Sequence, residues 1–258
     1  MKHSRLNQWL FVVAVVAIGT SSLHAQTQTN TPPAAEKKPQ WESVAALGFT
    51  LTRGNSQTLL ATLTAGTRKK WTKDELSFGA DATYGDSTVN GQNTVNANSA
   101  HGFAQYNRLF TERFYGYGRV DGMFDEVADI YYRATVSPGV GYYFFNNTNT
   151  DLSLEVGPGY IWENQGGDID NYATVRVGEK FHLKLSDRAR FTQTVEWLPE
   201  ATYLKNYIVN FLAGIDTDIT ADKKATLGVF FYDNYNNVPA AGFKCNDLKL
   251  VVAIGYKF

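Results

Sequence analysis

Asp247–Phe258, DLKLVVAIGYKF, decides the fold. Leu248, Leu250, Val252, Ile254, Tyr256 and Phe258 fall on one phase, and Asp247, Lys249, Val251, Ala253, Gly255 and Lys257 on the other. Successive side chains of a strand point to opposite faces, so one face is apolar and the other polar or small. The same period recurs upstream. Leu152, Leu154, Val156, Pro158, Tyr160 and Trp162 oppose Ser153, Glu155, Gly157, Gly159 and Glu163, and Leu76, Phe78, Ala80, Ala82 and Tyr84 oppose Glu75, Ser77, Gly79, Asp81 and Thr83.

About twelve such strands are predicted, over 41–53, 58–71, 75–86, 98–109, 114–125, 130–143, 151–163, 172–184, 188–198, 206–218, 224–234 and 247–258. Most reach the ~9–11 residues with which a tilted strand crosses a bilayer. Alternation alone fits a soluble sandwich and a membrane barrel equally. Four features select the barrel. Aromatic residues cluster near the strand ends, with Trp41, Trp71, Phe110, Tyr142 and Tyr256 at one end and Tyr84, Phe124, Tyr132, Trp162, Trp197 and Tyr207 at the other. Short connections such as TKDE and TADK alternate with longer ones such as DSTVNGQNTVN and NQGGDID. The polar phase is rich in glycine, which suits a curved inner wall and argues for some space there. The chain ends in Phe258 behind Ile254 and Tyr256, resembling the terminal signal that outer-membrane proteins present to their assembly machinery. The expected fold is all-β: a transmembrane antiparallel up-and-down barrel of residues 41–258, in contact with outer-membrane lipid.

The N-terminus supplies a route to such a membrane. Lys2 and Arg5 precede a short apolar run from Leu10 to Ile18, and Ser21, Ser22 and Ala25 follow. This reads as a signal peptide over 1–25, cut after Ala25. Residues 26–40, QTQTNTPPAAEKKPQ, are polar, proline-containing and aperiodic, and read as a disordered periplasmic leader. The expected location is the bacterial outer membrane.

Composition excludes other classes. The 258 residues carry a net charge of −1, so a nucleic-acid binder relying on bulk positive field is ruled out. The single cysteine, Cys245, rules out an intramolecular disulfide. No phosphate loop, dinucleotide fingerprint, calcium loop or metal-type histidine pair is present, so no cofactor, metal ligand or catalytic residue is expected.

Several segments carry a family likeness: LGFTLTRGNSQT at 47–58, YGRVDG at 117–122, YRATVSPGVGYYF at 132–144, DLSLEVGPGY at 151–160 and the terminal VVAIGYKF. Together they resemble the domain of unknown function 481 family, whose members are labelled YdiY-like or salt-induced outer membrane protein. The resemblance covers nearly all of 41–258. It implies an outer-membrane β-barrel and brings no catalytic residue or substrate.

The chemistry-bearing candidates lie on the polar phase. Arg119, Asp121, Arg133, Glu155, Arg176 and Glu196 are expected to line the lumen, with Glu42, Glu75, Asp81, Lys180, Arg190 and Asp216. Such charges either pair into a stiffening lattice or form a constriction that sets ion preference. Two histidines follow the signal segment. His182 is placed inward and His101 is left unassigned, and neither has an evident serine partner. The leading function is a narrow channel for small solutes or ions, or a structural envelope barrel. A surface-binding or adhesion barrel is an alternative, and a membrane-embedded lipid hydrolase a weaker one. Solute and oligomeric state are not legible.

Overall fold

The computed structural model describes residues 40–52, 56–89 and 92–258. The signal segment with Ala25, nearly all of the 26–40 leader, and residues 53–55 lie outside the described residues.

Alternation becomes twelve strands: β1 (Trp41–Thr52), β2 (Ser56–Lys70), β3 (Asp74–Val89), β4 (Gln92–Leu109), β5 (Phe114–Asp125), β6 (Ile130–Asn146), β7 (Thr150–Gln165), β8 (Asp168–Lys184), β9 (Ala189–Pro199), β10 (Tyr207–Asp218), β11 (Ala225–Asn236) and β12 (Asn246–Lys257). Each pairs antiparallel with its neighbour in sequence, and β12 returns to β1, closing a barrel. The closing seam is short. Five partner pairs, Val44↔Lys257 to Gly48↔Ala253, join β1 to β12, whereas twelve join β1 to β2.

The accessible face is the apolar one. On β12, Leu250 is 65% and Ile254 62% exposed, while inward Val251 and Ala253 are 7% and 5% exposed. Leaving such a belt in water costs about 25 cal/mol for each Å². Lipid removes that cost, and closure pairs the backbone groups that lipid cannot satisfy. The molecule is a transmembrane β-barrel. Tyr256 packs edge-on against Phe258, and Trp41 against Trp71 with the Lys69 ammonium over both indoles. Tyr160 and Trp162 lie together on the exterior of β7, towards the other rim. These rings occupy the expected interfacial positions.

Two expectations need correction. The segments read as long outer loops are largely strand. β3 runs to Val89 and β4 starts at Gln92, and β7 and β8 meet in a turn of Gly166 and Gly167. Both glycines have positive φ, 65° and 86°, as a two-residue hairpin turn requires. Outside the hydrocarbon belt both faces of these hairpins are polar, so alternation fades while the ladder continues. Only 200–206 and 237–245 remain as longer connections at this rim.

The second correction concerns inward glycine. It does not simply leave space. A Cβ at Gly141 would sit 2.3 Å from the Tyr115 ring, one at Gly139 2.6 Å from the Tyr117 ring, and one at Gly79 2.3 Å from the Phe103 ring. Each ring lies over the glycine of the paired strand, Tyr115 opposite Gly141, Tyr117 opposite Gly139 and Phe103 opposite Gly79. The glycines are seats for rings, which lock neighbouring strands together.

Candidate functional site: the lumen lattice

The inward phase of β4–β9 carries long polar side chains, and the barrel brings them to one level. Glu155 on β7 is the centre, 2% exposed. It accepts hydrogen bonds from Gln105 Nε2 at 2.7 Å, Tyr115 Oη at 2.9 Å, Arg176 Nη1 at 2.7 Å and Lys180 Nζ at 2.8 Å. Arg176 also donates to Glu196 at 2.5 Å. Arg119 donates to Asp121 through Nε at 2.8 Å and to Gln105 Oε1 through Nη1 at 3.2 Å, and its guanidinium lies 4.1 Å from the Phe103 ring centroid. Three cations (Arg119, Arg176, Lys180) thus face three anions (Asp121, Glu155, Glu196). Buried charges persist when each is paired and its remaining hydrogen-bond capacity is met.

Further groups extend the lattice along the barrel axis. Towards the end carrying both chain termini of the barrel, Glu75 accepts from Tyr143 Oη at 2.6 Å and Asn107 Nδ2 at 3.0 Å, and pairs with Lys70 at 3.2 Å. Asp218 pairs with Arg190 at 2.8 Å and Lys257 at 2.6 Å, and Arg190 also meets Asp216. Beside the central cluster, His101 sits between Asp81, 3.2 Å from Nδ1, and Asp121, 3.5 Å from Nε2. Towards the opposite rim, Arg133 pairs with Glu163 at 2.5 Å and donates to Gln165 at 2.9 Å, while Tyr172 Oη donates to Glu163 at 3.0 Å.

Several contacts join strands that are not neighbours and therefore span the lumen. Lys70 on β2 lies 3.8 Å from Asp151 on β7. Lys249 on β12 lies 3.4 Å from Ser99 on β4. Asn236 on β11 donates to Gln165 on β7 at 2.9 Å.

Of the sequence-predicted lumen residues, Arg119, Asp121, Glu155, Arg176 and Glu196 meet in one network. Arg133 faces inward as expected but belongs to the separate rim cluster. His182 shares the inward row of Lys180, as expected, and His101 also proves inward. Ile254, Tyr256 and Phe258 are exposed on the exterior or at its edge. Sequence reasoning missed Gln105, Tyr115, Glu163 and Gln165. All four lie on the polar phase of their strands, but only cross-strand register reveals whom they meet. It also missed an inward apolar cluster of Ile161, Tyr172, Leu198 and Ile208, although Ile161 already lies in phase with Glu155 and Glu163.

The opposite wall differs. Mid-strand inward positions of β12, β1 and β2 are Val251, Ala253, Ala46, Gly48, Thr62 and Thr64, all short and uncharged. Beside them β11 carries Thr226, Gly228 and then the rings of Phe230, opposite Val251, and Tyr232, opposite Lys249. Among the described residues no group of three or more histidine, cysteine, aspartate or glutamate side chains is arranged to hold a metal ion.

The family described as "Protein of unknown function, DUF481" matches residues 45–258. No characterised protein matches in a sequence comparison. Among solved structures, the translocator domain of the autotransporter NalP from Neisseria meningitidis aligns at 15% identity and TM-score 0.47, covering 86% of this chain and 90% of that one. The NanC porin aligns at 10% identity and TM-score 0.49, covering 84% and 98%. The outer membrane channel DcaP of Acinetobacter baumannii aligns at 10% identity and TM-score 0.42, covering 85% and 96%.

Proposed function

The chain belongs to the DUF481 family, to which no activity is attached, and from its own geometry we propose that it is a narrow channel of the bacterial outer membrane for small solutes or ions. The observation that carries this reading is the two-sided lumen. Long charged side chains grow from β4–β9, and at mid-barrel a wall of short neutral residues on β12, β1 and β2 faces them. A thin file of water and small solute along this stretch meets no charge; Lys249, nearer the outer rim, reaches across to Ser99. The side chains of His101 and Asp81 retain 36% and 30% exposure, which supports water beside the central cluster. Because cations and anions balance in the central network, discrimination by size is expected to exceed discrimination by charge.

The signal-like N-terminus supports export, with the 1–25 segment removed on the way. The exposed Tyr256–Phe258 end supports recognition by the barrel assembly machinery. A lipid hydrolase would require a histidine on the lipid face. Both His101 and His182 belong to inward rows, which disfavours that alternative.

Single-channel recording of the refolded mature protein in a planar bilayer tests the channel. Small reproducible steps are expected, growing in Arg119→Ala. Silence from protein with barrel-type heat-modifiable gel migration would favour the second reading, a closed structural barrel. The contacts that span the lumen are what favours it.

A further inference from the structure

The outer rim contains a pocket that the lattice does not use. At this level β10, β11 and β12 place Asn210, Asn234 and Asp247 opposite one another in one inward row. The connection 237–245 folds over them. Gln165 Nε2 donates to Val238 O at 3.2 Å, and Asn237 donates to Tyr207 O at 3.0 Å and, through Nδ2, to Lys205 O at 2.6 Å. Beneath this strap lies a cavity of about 50 Å³, lined among others by the row, Gln165, Ile208 and Phe243.

The lining has a definite chemistry. Asn234 and Asp247 make no side-chain hydrogen bond or ion pair among the described residues. Arg133 reaches the cavity, but Glu163 already neutralises it. Asp125 is occupied by the backbone N–H groups of Val127 and Ala128, both at 3.1 Å. What remains is an amide that both donates and accepts, a carboxylate that accepts, an ammonium from Lys244 of the strap, and apolar contact from Ile208 and Phe243. The one positive charge of Lys244 stands against the negative charge of Asp247, so the lining offers no excess positive charge to an anionic ligand. That set matches vicinal hydroxyl groups on a ring with apolar C–H faces. The space suits roughly three to five waters, hence the edge of one sugar ring.

We propose that this rim pocket binds neutral carbohydrate, one ring at a time, with Asn234 and Asp247 holding adjacent hydroxyls. The inference rests on the channel reading, since the pocket then stands at the outer mouth of the solute path. Calorimetric titration of the refolded protein in detergent with maltose, gluconate and glucosamine tests the site. Swelling of proteoliposomes in maltose tests the path separately. Saturable maltose binding is expected, weakened about tenfold in Asn234→Leu and in Asp247→Leu by loss of a ligand hydrogen bond. Asp222→Asn, in a turn at the far end, leaves it unchanged. Heat-modifiable migration shows that each variant is folded. No saturation with maltose, equal binding by both row variants, or binding of only the charged sugars overturns the proposal. Binding without swelling upholds the site and overturns the channel.

Discussion

The two walls of the lumen are built from the same alternating pattern, yet they solve different problems. On β4–β9 the inward residues are long, and each buried charge is met by partners from other strands. On β12, β1 and β2 the mid-barrel ones are short, and the wall is held mainly by its backbone ladder. There Thr62 and Thr83 hydroxyls approach only to 3.4 Å, and a Cβ at Gly48 would lie 2.7 Å from Val251. Stability is therefore concentrated in one wall, and the proposed solute path follows the other.

The hardest blow to this contrast is Glu155→Ala. It strands Arg176 and Lys180 without their buried partner. A loss of about 3–5 kcal/mol is expected, read as a lower midpoint in denaturant-driven unfolding in detergent. A loss under 1 kcal/mol would mean that water already screens the network, and the walls would be alike.

Gly141→Val probes the seat of Tyr115. Overpacking of about 1–3 kcal/mol is expected. Adding Tyr115→Ala relieves the clash, so the double variant should lose less than the two single losses combined. Strict additivity would show that ring and glycine act independently.

Thr62→Val tests the short wall. Its weak hydroxyl contact predicts a change within about 1 kcal/mol. A loss matching that of Glu155→Ala would erase the distinction between the walls.

The smallest effect belongs to the turns, which serve neither wall. Asp187 accepts a hydrogen bond from Lys184, which holds its carboxyl below the usual 3.8. Asp222, bonded to Thr220 and the Lys224 N–H, is lowered likewise. A lowered carboxyl stabilises the fold above its ordinary value, and that contribution fades as pH falls through the lowered one. Asp187→Asn should therefore soften the loss of stability below about pH 4 while changing little at neutral pH. An unchanged acid limb would sink this assignment.

Much of the barrel is legible in the sequence because lipid imposes a strict period of two on segments such as Leu248–Phe258. Inward phase is also legible: Arg119, Glu155 and Arg176 share the polar phase of their strands and are buried side chains of the central network. Partnership is not. Gln105 meets Glu155, and Tyr115 covers Gly141, because of register between separate hairpins, which one strand's pattern does not encode. Hairpin tips such as 86–97 are misread for the opposite reason, since beyond the lipid no face needs to be apolar. The central cluster was thus foreseeable as a list of charges but not as a network around one carboxylate.

The five-pair seam between Val44–Gly48 and Ala253–Lys257 has a kinetic meaning. Every other junction links strands adjacent in sequence and can zip locally. The seam alone waits for the first strand to find the last, so the entropy of ring closure falls on it. The species just before completion is a curled sheet with two raw edges, each a template for foreign strands. Its lifetime, more than the strength of any single ion pair, sets how safely the molecule matures.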